Sequence, residues 1–260
     1  MGSNPIARST CPIDADRLER ARKVYVDNDG STKATSDLRY GDNKQHTGAA
    51  YAVHSALNLS IAESPLIGCE PVIVEGPSDQ IYMTAIKSLL IGAKDIAPKK
   101  ELVFPPGGGT KTSRSVASIL TGKDEKLPLI LLDGDTQGTK MIEQLRSSLY
   151  ASDKELVLCT NDFVSVENSE IEDLFPKLLI AEILNRWFRV EEEFTPSAES
   201  KEPIVPQIKE WTKRNSEILQ KGWKVELAKR VEKKVLQEGI NKIPNEYRER
   251  WKELLKKFSR

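Results

Sequence analysis

Three short acidic stretches contain the residue types from which hydrolytic metal chemistry is built. Glu75-Gly76-Pro77-Ser78-Asp79 follows the apolar run at 71–74, Asp133-Gly134-Asp135 follows the run at 129–132, and Glu170-Ile171-Glu172-Asp173 precedes Leu174-Phe175-Pro176. In the first, Gly76 permits a tight turn, Ser78 is placed to cap the next helix, and Asp79 falls in that helix's first turn. In the second, residues two apart on an extended chain point the same way. Asp133 and Asp135 therefore direct two carboxylates to one side, where a divalent ion offsets their repulsion. Each stretch also has a plainer explanation. Asp79 and the acids at 170–173 complement helix dipoles, Glu75 is a solvated loop residue, and Asp-Gly is a common turn. Taken together, seven acids fall just beyond successive strand or loop ends, and crowding them without a cation is costly. Mg²⁺ prefers carboxylate and water oxygens, and a pair of ions is the natural use: one activates water, the other steadies the leaving oxygen of a phosphodiester. A lysine often neutralises phosphate charge at such a site. Lys224, in Gly222-Trp223-Lys224, is the candidate, beside the plainer reading that it is one surface lysine in a basic segment.

The elements that must position these residues follow from hydrophobic periodicity. Strands are expected at 71–74, 101–104, 129–132 and 156–159, separated by helices at 78–91, 112–120 and 139–149. Continuous apolar strands alternating with helical periods imply a parallel sheet buried on both faces, with right-handed crossovers. In such sheets ligands bind beyond the carboxyl ends of the strands, where the first two acidic stretches lie. Residues 170–190 read as one long helix, and 195–206, with three prolines, as a linker. The remainder is helical, with apolar stripes at Leu227, Val231 and Val235 and at Tyr247, Trp251, Leu254, Leu255 and Phe258 that suit a helix-bundle core. Upstream, Val24-Tyr25-Val26 reads as a strand leading into a turn at Asn28-Asp29-Gly30, and 49–59 as a helix.

The chain of 260 residues has 38% hydrophobic and 30% charged residues and no formal net charge. The charge is unevenly spread: residues 207–260 hold sixteen Lys/Arg against eight Asp/Glu. A basic end beside an acidic body could be a phosphate-binding surface next to a metal site, or solvated helix faces. Cys11, Cys69 and Cys159 are few and scattered, which disfavours a disulfide framework or zinc knuckle and suggests a reducing cytoplasm. No signal peptide and no apolar run near membrane-spanning length is present. Met1-Gly2-Ser3 reads as an expression remnant, and the chain as a fragment of a longer protein. Pro105-Pro106-Gly107-Gly108-Gly109-Thr110-Lys111-Thr112 superficially suggests a nucleotide phosphate loop, but Thr110 separates the glycines from Lys111. It reads instead as a flexible loop able to approach a nucleic-acid phosphate, or as a simple loop. His46 and His54 are isolated.

Glu75 with Asp79, followed by Asp133-Gly134-Asp135, resembles the acidic signature of Toprim domains over roughly 71–180. Within that group, Val74-Glu75-Gly76-Pro77-Ser78-Asp79, the stretch from Glu170 to Pro176 and the helical tail are most similar to the nuclease region of the Overcoming Lysogenization Defect (OLD) nucleases. The resemblance implies an α/β fold, a Toprim-type parallel sheet flanked by helices, with an appended α-helical domain. It divides the chain into 1–70, leading from a missing N-terminal ABC-type ATPase whose end Cys11-Pro12-Ile13-Asp14-Ala15-Asp16-Arg17-Leu18 resembles, a catalytic domain at 71–190, and a helical domain at 191–260. It further implies a DNA endonuclease using two Mg²⁺ or Mn²⁺ ions, with Ca²⁺ as a non-catalytic substitute. Glu75, Asp133 and Asp135 then hold one ion. Asp79, Glu172 and either Glu170 or Asp173 help hold the other, and Lys224 supplies the lysine. Other Toprim activities, on RNA or in primer synthesis, and a non-catalytic nucleic-acid scaffold are the rival readings. No tyrosine is placed as a topoisomerase nucleophile.

Overall fold

The computed structural model describes residues 23–26, 31–35, 69–108, 113, 116, 117, 120, 126–196 and 202–259. Strands β1 (Lys23–Val26) and β2 (Thr32–Thr35) pair antiparallel. The helix expected at 49–59 lies outside the described residues.

The centre of the molecule is a four-stranded parallel sheet built from β3 (Cys69–Val74), β4 (Glu101–Val103), β5 (Leu129–Leu132) and β6 (Val157–Cys159), in the order β4-β3-β5-β6. Val72, Ile73 and Val74 pair with Leu129, Ile130 and Leu131, and Ile130 to Leu132 pair with Val157 to Cys159. The two central strands are apolar because both of their faces are covered: Val72 to Val74 and Leu129 to Leu132 are all buried. Helix α1 (Pro77–Gly92) leads from β3 towards β4 on one side, and α2 (Thr136–Arg146) leads from β5 to β6 on the other. The strand order therefore reverses between β3 and β5. At such a reversal the connections diverge and leave a crevice at the carboxyl edge. Ser113, Val116, Ala117 and Leu120 of the helix expected at 112–120 are helical, with Val116 and Ala117 buried.

The helical part consists of α3 (Lys177–Phe188), α4 (Ile204–Arg214), α5 (Trp223–Glu238) and α6 (Asn245–Phe258). The six helices and the parallel sheet give the expected α/β architecture with a helical addition. Helix α5 packs along α1 and α6 also reaches α1. The apolar stripe Leu227, Ala228, Val231 and Val235 is buried, as are Trp251, Leu254, Leu255 and Phe258.

Two sequence expectations are corrected. The long helix at 170–190 is broken: Ile171–Leu174 is a 3₁₀ turn, Phe175 is extended (φ −104°, ψ 153°), and α3 begins only at Lys177. Pro176 explains the break, because its ring keeps the preceding residue out of the helical region. The linker at 195–206 ends early, since Pro203 is the N-cap of α4 and Pro206 sits in its first turn, where proline's missing N–H costs nothing.

The 171–174 turn is held from the tail. The Trp251 indole N–H donates to the Leu174 carbonyl at 2.8 Å, and the Phe175 ring packs between Tyr82 and Trp251 at centroid separations of 5.0 and 5.2 Å. An aromatic at 175 thus joins α1, the turn and α6 in one buried contact.

Candidate functional site

Glu75 and Asp133 leave the two central strands one residue past their ends, at the point where the strand order reverses. The loop after β4 runs alongside: the Gly107 amide donates to the Val74 carbonyl at 2.6 Å and the Gly108 amide to the Glu75 carbonyl at 2.8 Å. Gly107 is compelled at this approach, because a Cβ there would meet the Ser113 hydroxyl and the Ile73 side chain. The part of this loop at 109–112 lies outside the described residues.

Asp79 turns back on its own helix start. One carboxylate oxygen accepts from the Gly76 amide and the other from the Ser78 hydroxyl, each at 3.0 Å. The N-cap is Gly76, not Ser78 as the spacing suggested; Pro77 begins the helix and places the cap two positions back. Asp135 is the N-cap of α2 and accepts from the Gly138 amide at 2.7 Å. Asp133 is nearly enclosed, and one of its oxygens accepts from the Ile171 amide at 2.9 Å, which brings the third acidic stretch against the second. Gly138 sits so close behind Asp133 that a Cβ would lie 2.0 Å from the Asp133 carbonyl oxygen.

Three polar residues that periodicity does not single out lock this junction. The Gly134 amide points at both the Ser169 carbonyl (2.7 Å) and Thr160 Oγ1 (2.9 Å). Thr160 donates to the Ser169 carbonyl, and the Ser169 amide donates to Asn161 Oδ1 at 3.0 Å. The Asn161 side chain lies directly over Gly134, where any Cβ would overlap it at 2.0 Å. The Asp-Gly pair is therefore more than a turn: its glycine admits the side chain that anchors the loop leading to Glu170.

Glu170, Glu172 and Asp173 diverge in role within one 3₁₀ turn. Asp173 is committed to the backbone, with its oxygens accepting from the Glu170 and Ile204 amides at 2.9 Å each, which leaves it a structural clasp between this turn and α4. Glu170 is paired with Lys224, which reaches in from the first turn of α5. Glu172 is fully enclosed, and its closest cation, Lys224 Nζ, is 4.0 Å away, beyond hydrogen-bonding distance. Gly222, in the left-handed region at φ +85°, turns the chain into α5 and so aims this lysine.

The electrostatics record how little charge is compensated. Burial pushes Glu172 up to about 8, with Glu170 and Asp79 adding to the shift against the pull of Lys224. Burial, then Asp79, Glu172 and Glu75, hold the Asp133 carboxyl well above its ordinary range. Glu75 is raised by burial and by its neighbours Asp79 and Asp135. Asp79 is raised by burial, partly offset by its hydrogen bonds and Lys224. Burial alone would lower Lys224, but Glu172, Glu170 and Asp133 outweigh it and raise the lysine above its usual value. Tyr82, on α1, faces the same cluster: burial, Glu172 and Asp79 raise its hydroxyl well above normal.

Among the described residues no three acidic, histidine or cysteine side chains form a ready-made metal cage. The donor set nonetheless suits a hard divalent ion. Glu75 Oε2 and both oxygens of Glu172 are buried without a hydrogen-bond partner, and buried carboxylate oxygens in that condition demand a proton or a cation. Beside them, a cleft of about 690 Å³ opens at Asp135 and Glu170. No helix among the described residues is long and apolar enough to cross a membrane. Comparisons of the chain with protein-family models, with curated proteins and with solved structures give no match.

Proposed function

We propose that this chain is the nuclease part of a Toprim-type, OLD-like protein and that it cleaves DNA phosphodiesters with two divalent ions, Mg²⁺ or Mn²⁺. The observation that carries the reading is a set of carboxylates, two of them (Glu75 and Glu172) with buried unpartnered oxygens, at the carboxyl edge where the strand order of a parallel sheet reverses. Glu75, Asp133 and Asp135 would hold one ion, and Asp79, Glu170 and Glu172 the other; Asp173 drops out because both its oxygens serve the backbone. When bound, such ions supply Lewis-acid polarisation of the phosphodiester and a more acidic water.

The chain's own groups supply the rest. The Ile171 amide fixes the orientation of Asp133, and the Gly138 amide that of Asp135, so these carboxylates are arranged before substrate arrives. Lys224 keeps its proton at every working pH, balances Glu170 when no substrate is present, and offers a positive charge to a phosphate oxygen when one is. Apolar strands and the α1–α5 interface wall the cluster on its inner side, which strengthens each of these interactions. A cytoplasmic setting, where Cys159 stays a free thiol, and an ABC-type ATPase partner complete the reading.

The test is incubation of the purified chain with supercoiled plasmid, structured RNA or nucleoside triphosphates in Mg²⁺ or Mn²⁺. Nicked and linear plasmid should form, should vanish with EDTA, and should be lost in Glu75→Ala with its circular dichroism spectrum intact. Cleavage confined to RNA, or primer synthesis, would move the assignment to another Toprim activity. DNA binding without cleavage under any metal would make the chain a scaffold.

A further inference from the structure

The cleft between α2 and α4 departs from the acidic centre rather than enclosing it. Asp135 and Glu170 stand at its inner end, and Lys140 of α2 and Lys209 of α4 on its walls. Gln137 shares a face of α2 with Lys140, and Asn168 contributes a further side-chain amide. The two lysines are exposed, and among the described residues neither has an ion-pair partner. Several other cations of the helical part are paired internally. Arg214 is held by Glu192, Arg230 by Glu226, Lys234 by Glu182 and Glu238, and Arg250 by Glu246. Unpaired cations flanking a groove are what a polyanion needs, because they release no internal partner on binding and neutralise phosphates directly. The cleft's volume is that of a pocket, not of a duplex-wide channel, so a single sugar–phosphate strand fits it.

We propose that this cleft is the track of one DNA strand, with Lys140 and Lys209 as contacts to consecutive phosphates and Gln137 and Asn168 as neutral hydrogen-bond donors between them. The identity of the polymer rests on the nuclease reading above; the site and its charge do not. The strand would run from the scissile position at the carboxylates outwards between α2 and α4. Side chains of this kind position backbone and carry no base information, so the contact is indifferent to sequence.

Binding of fluorescein-labelled single-stranded DNA, followed by anisotropy in Ca²⁺ across a salt series, tests this without cleavage. In Lys140→Ala/Lys209→Ala, affinity should fall about tenfold near ~0.1 M salt, and the slope of log K against log salt should shrink by about 1.4. Lys256→Ala/Lys257→Ala removes the same charge from the far end of α6 and should leave both quantities unchanged. If the first variant binds like the wild type, if both variants lose affinity equally, or if the wild type does not bind DNA, the proposed track is wrong. Loss of binding in the first variant together with a wild type that cleaves nothing in Mg²⁺ or Mn²⁺ would remove the nuclease reading and keep the track. Cleavage by a wild type whose binding ignores both lysines would do the reverse.

Discussion

Asp95, just past the end of α1, and Asp133, just past the end of β5, are the same side chain in opposite settings. Asp95 meets the Arg248 guanidinium at 2.5 and 2.6 Å and Lys252 at 3.7 Å, and the arginine holds its carboxyl below the usual range. Asp133 meets three other carboxylates, one backbone amide and the distant charge of Lys224, and burial holds it well above that range. The first arrangement is one a fold uses to fasten a helix: bidentate, complementary and complete. The second is incomplete as it stands. The same helix thus has an aspartate answered by arginine near one end and carboxylates left without a close cation near the other, and under the metal reading proposed above the second position is where a divalent ion would bind.

Four experiments sharpen or break that contrast. The largest effect belongs to Asp133→Ala, which should lower the plasmid nicking rate at least about a hundredfold with folding intact by circular dichroism; retention of the wild-type rate would place Asp133 with the structural acids. Next is Lys224→Ala, which strips Glu170 of its partner. Nicking should drop roughly tenfold or more, and Lys224→Arg should recover part of it; a fully active alanine variant would return Lys224 to the solvated surface.

The third concerns pH. In the metal-free fold Glu172 keeps its proton up to about 8, against an ordinary value of 4.5. Folding therefore takes up a proton within that window, so this group's contribution to stability is present below about 4.5 and is lost as pH rises through about 8. The melting temperature in EDTA should fall from pH 5 to 8, Glu172→Gln should flatten the decline, and Mg²⁺ should raise the melting temperature more at pH 8 than at pH 5. An identical profile in wild type and variant would show that Glu172 does not titrate in that range. The smallest effect is that of Asp95→Asn: a slight loss of thermal stability with an unchanged nicking rate. A large loss of activity there would mean that the two ends of α1 are coupled.

The sheet was legible because buried parallel strands have no polar side to confuse the pattern; Leu129 to Leu132 is apolar at every position and buried at every position. Glu75 and Asp133 were legible for the same reason, as the first charges after such runs. Pro176 was in plain view, yet the acids before it and the apolar residues after it make a continuous helical pattern, and only the ring's effect on Phe175 divides them. Ser78 has the ordinary chemistry of a cap, but the cap position depends on where Pro77 starts the helix. The Thr160–Asn161–Ser169 lock left no signal at all. These are common loop residues, and their importance lies in contacts that span 26 residues to Gly134. Glu170, Glu172 and Asp173 look interchangeable in one dimension; a pairing lysine, an enclosed pocket and two backbone amides make them three different groups.

The indole of Trp251 gives the molecule a remote fault line. Its bond to the Leu174 carbonyl lies two residues from Glu172 in sequence, although the tryptophan belongs to α6. Damage to that ring would be transmitted as a small displacement of the acidic turn. If the acidic turn holds a cation as proposed, a screen for inactive variants should recover lesions in α6 that fold, stay monodisperse and bind the ion more weakly.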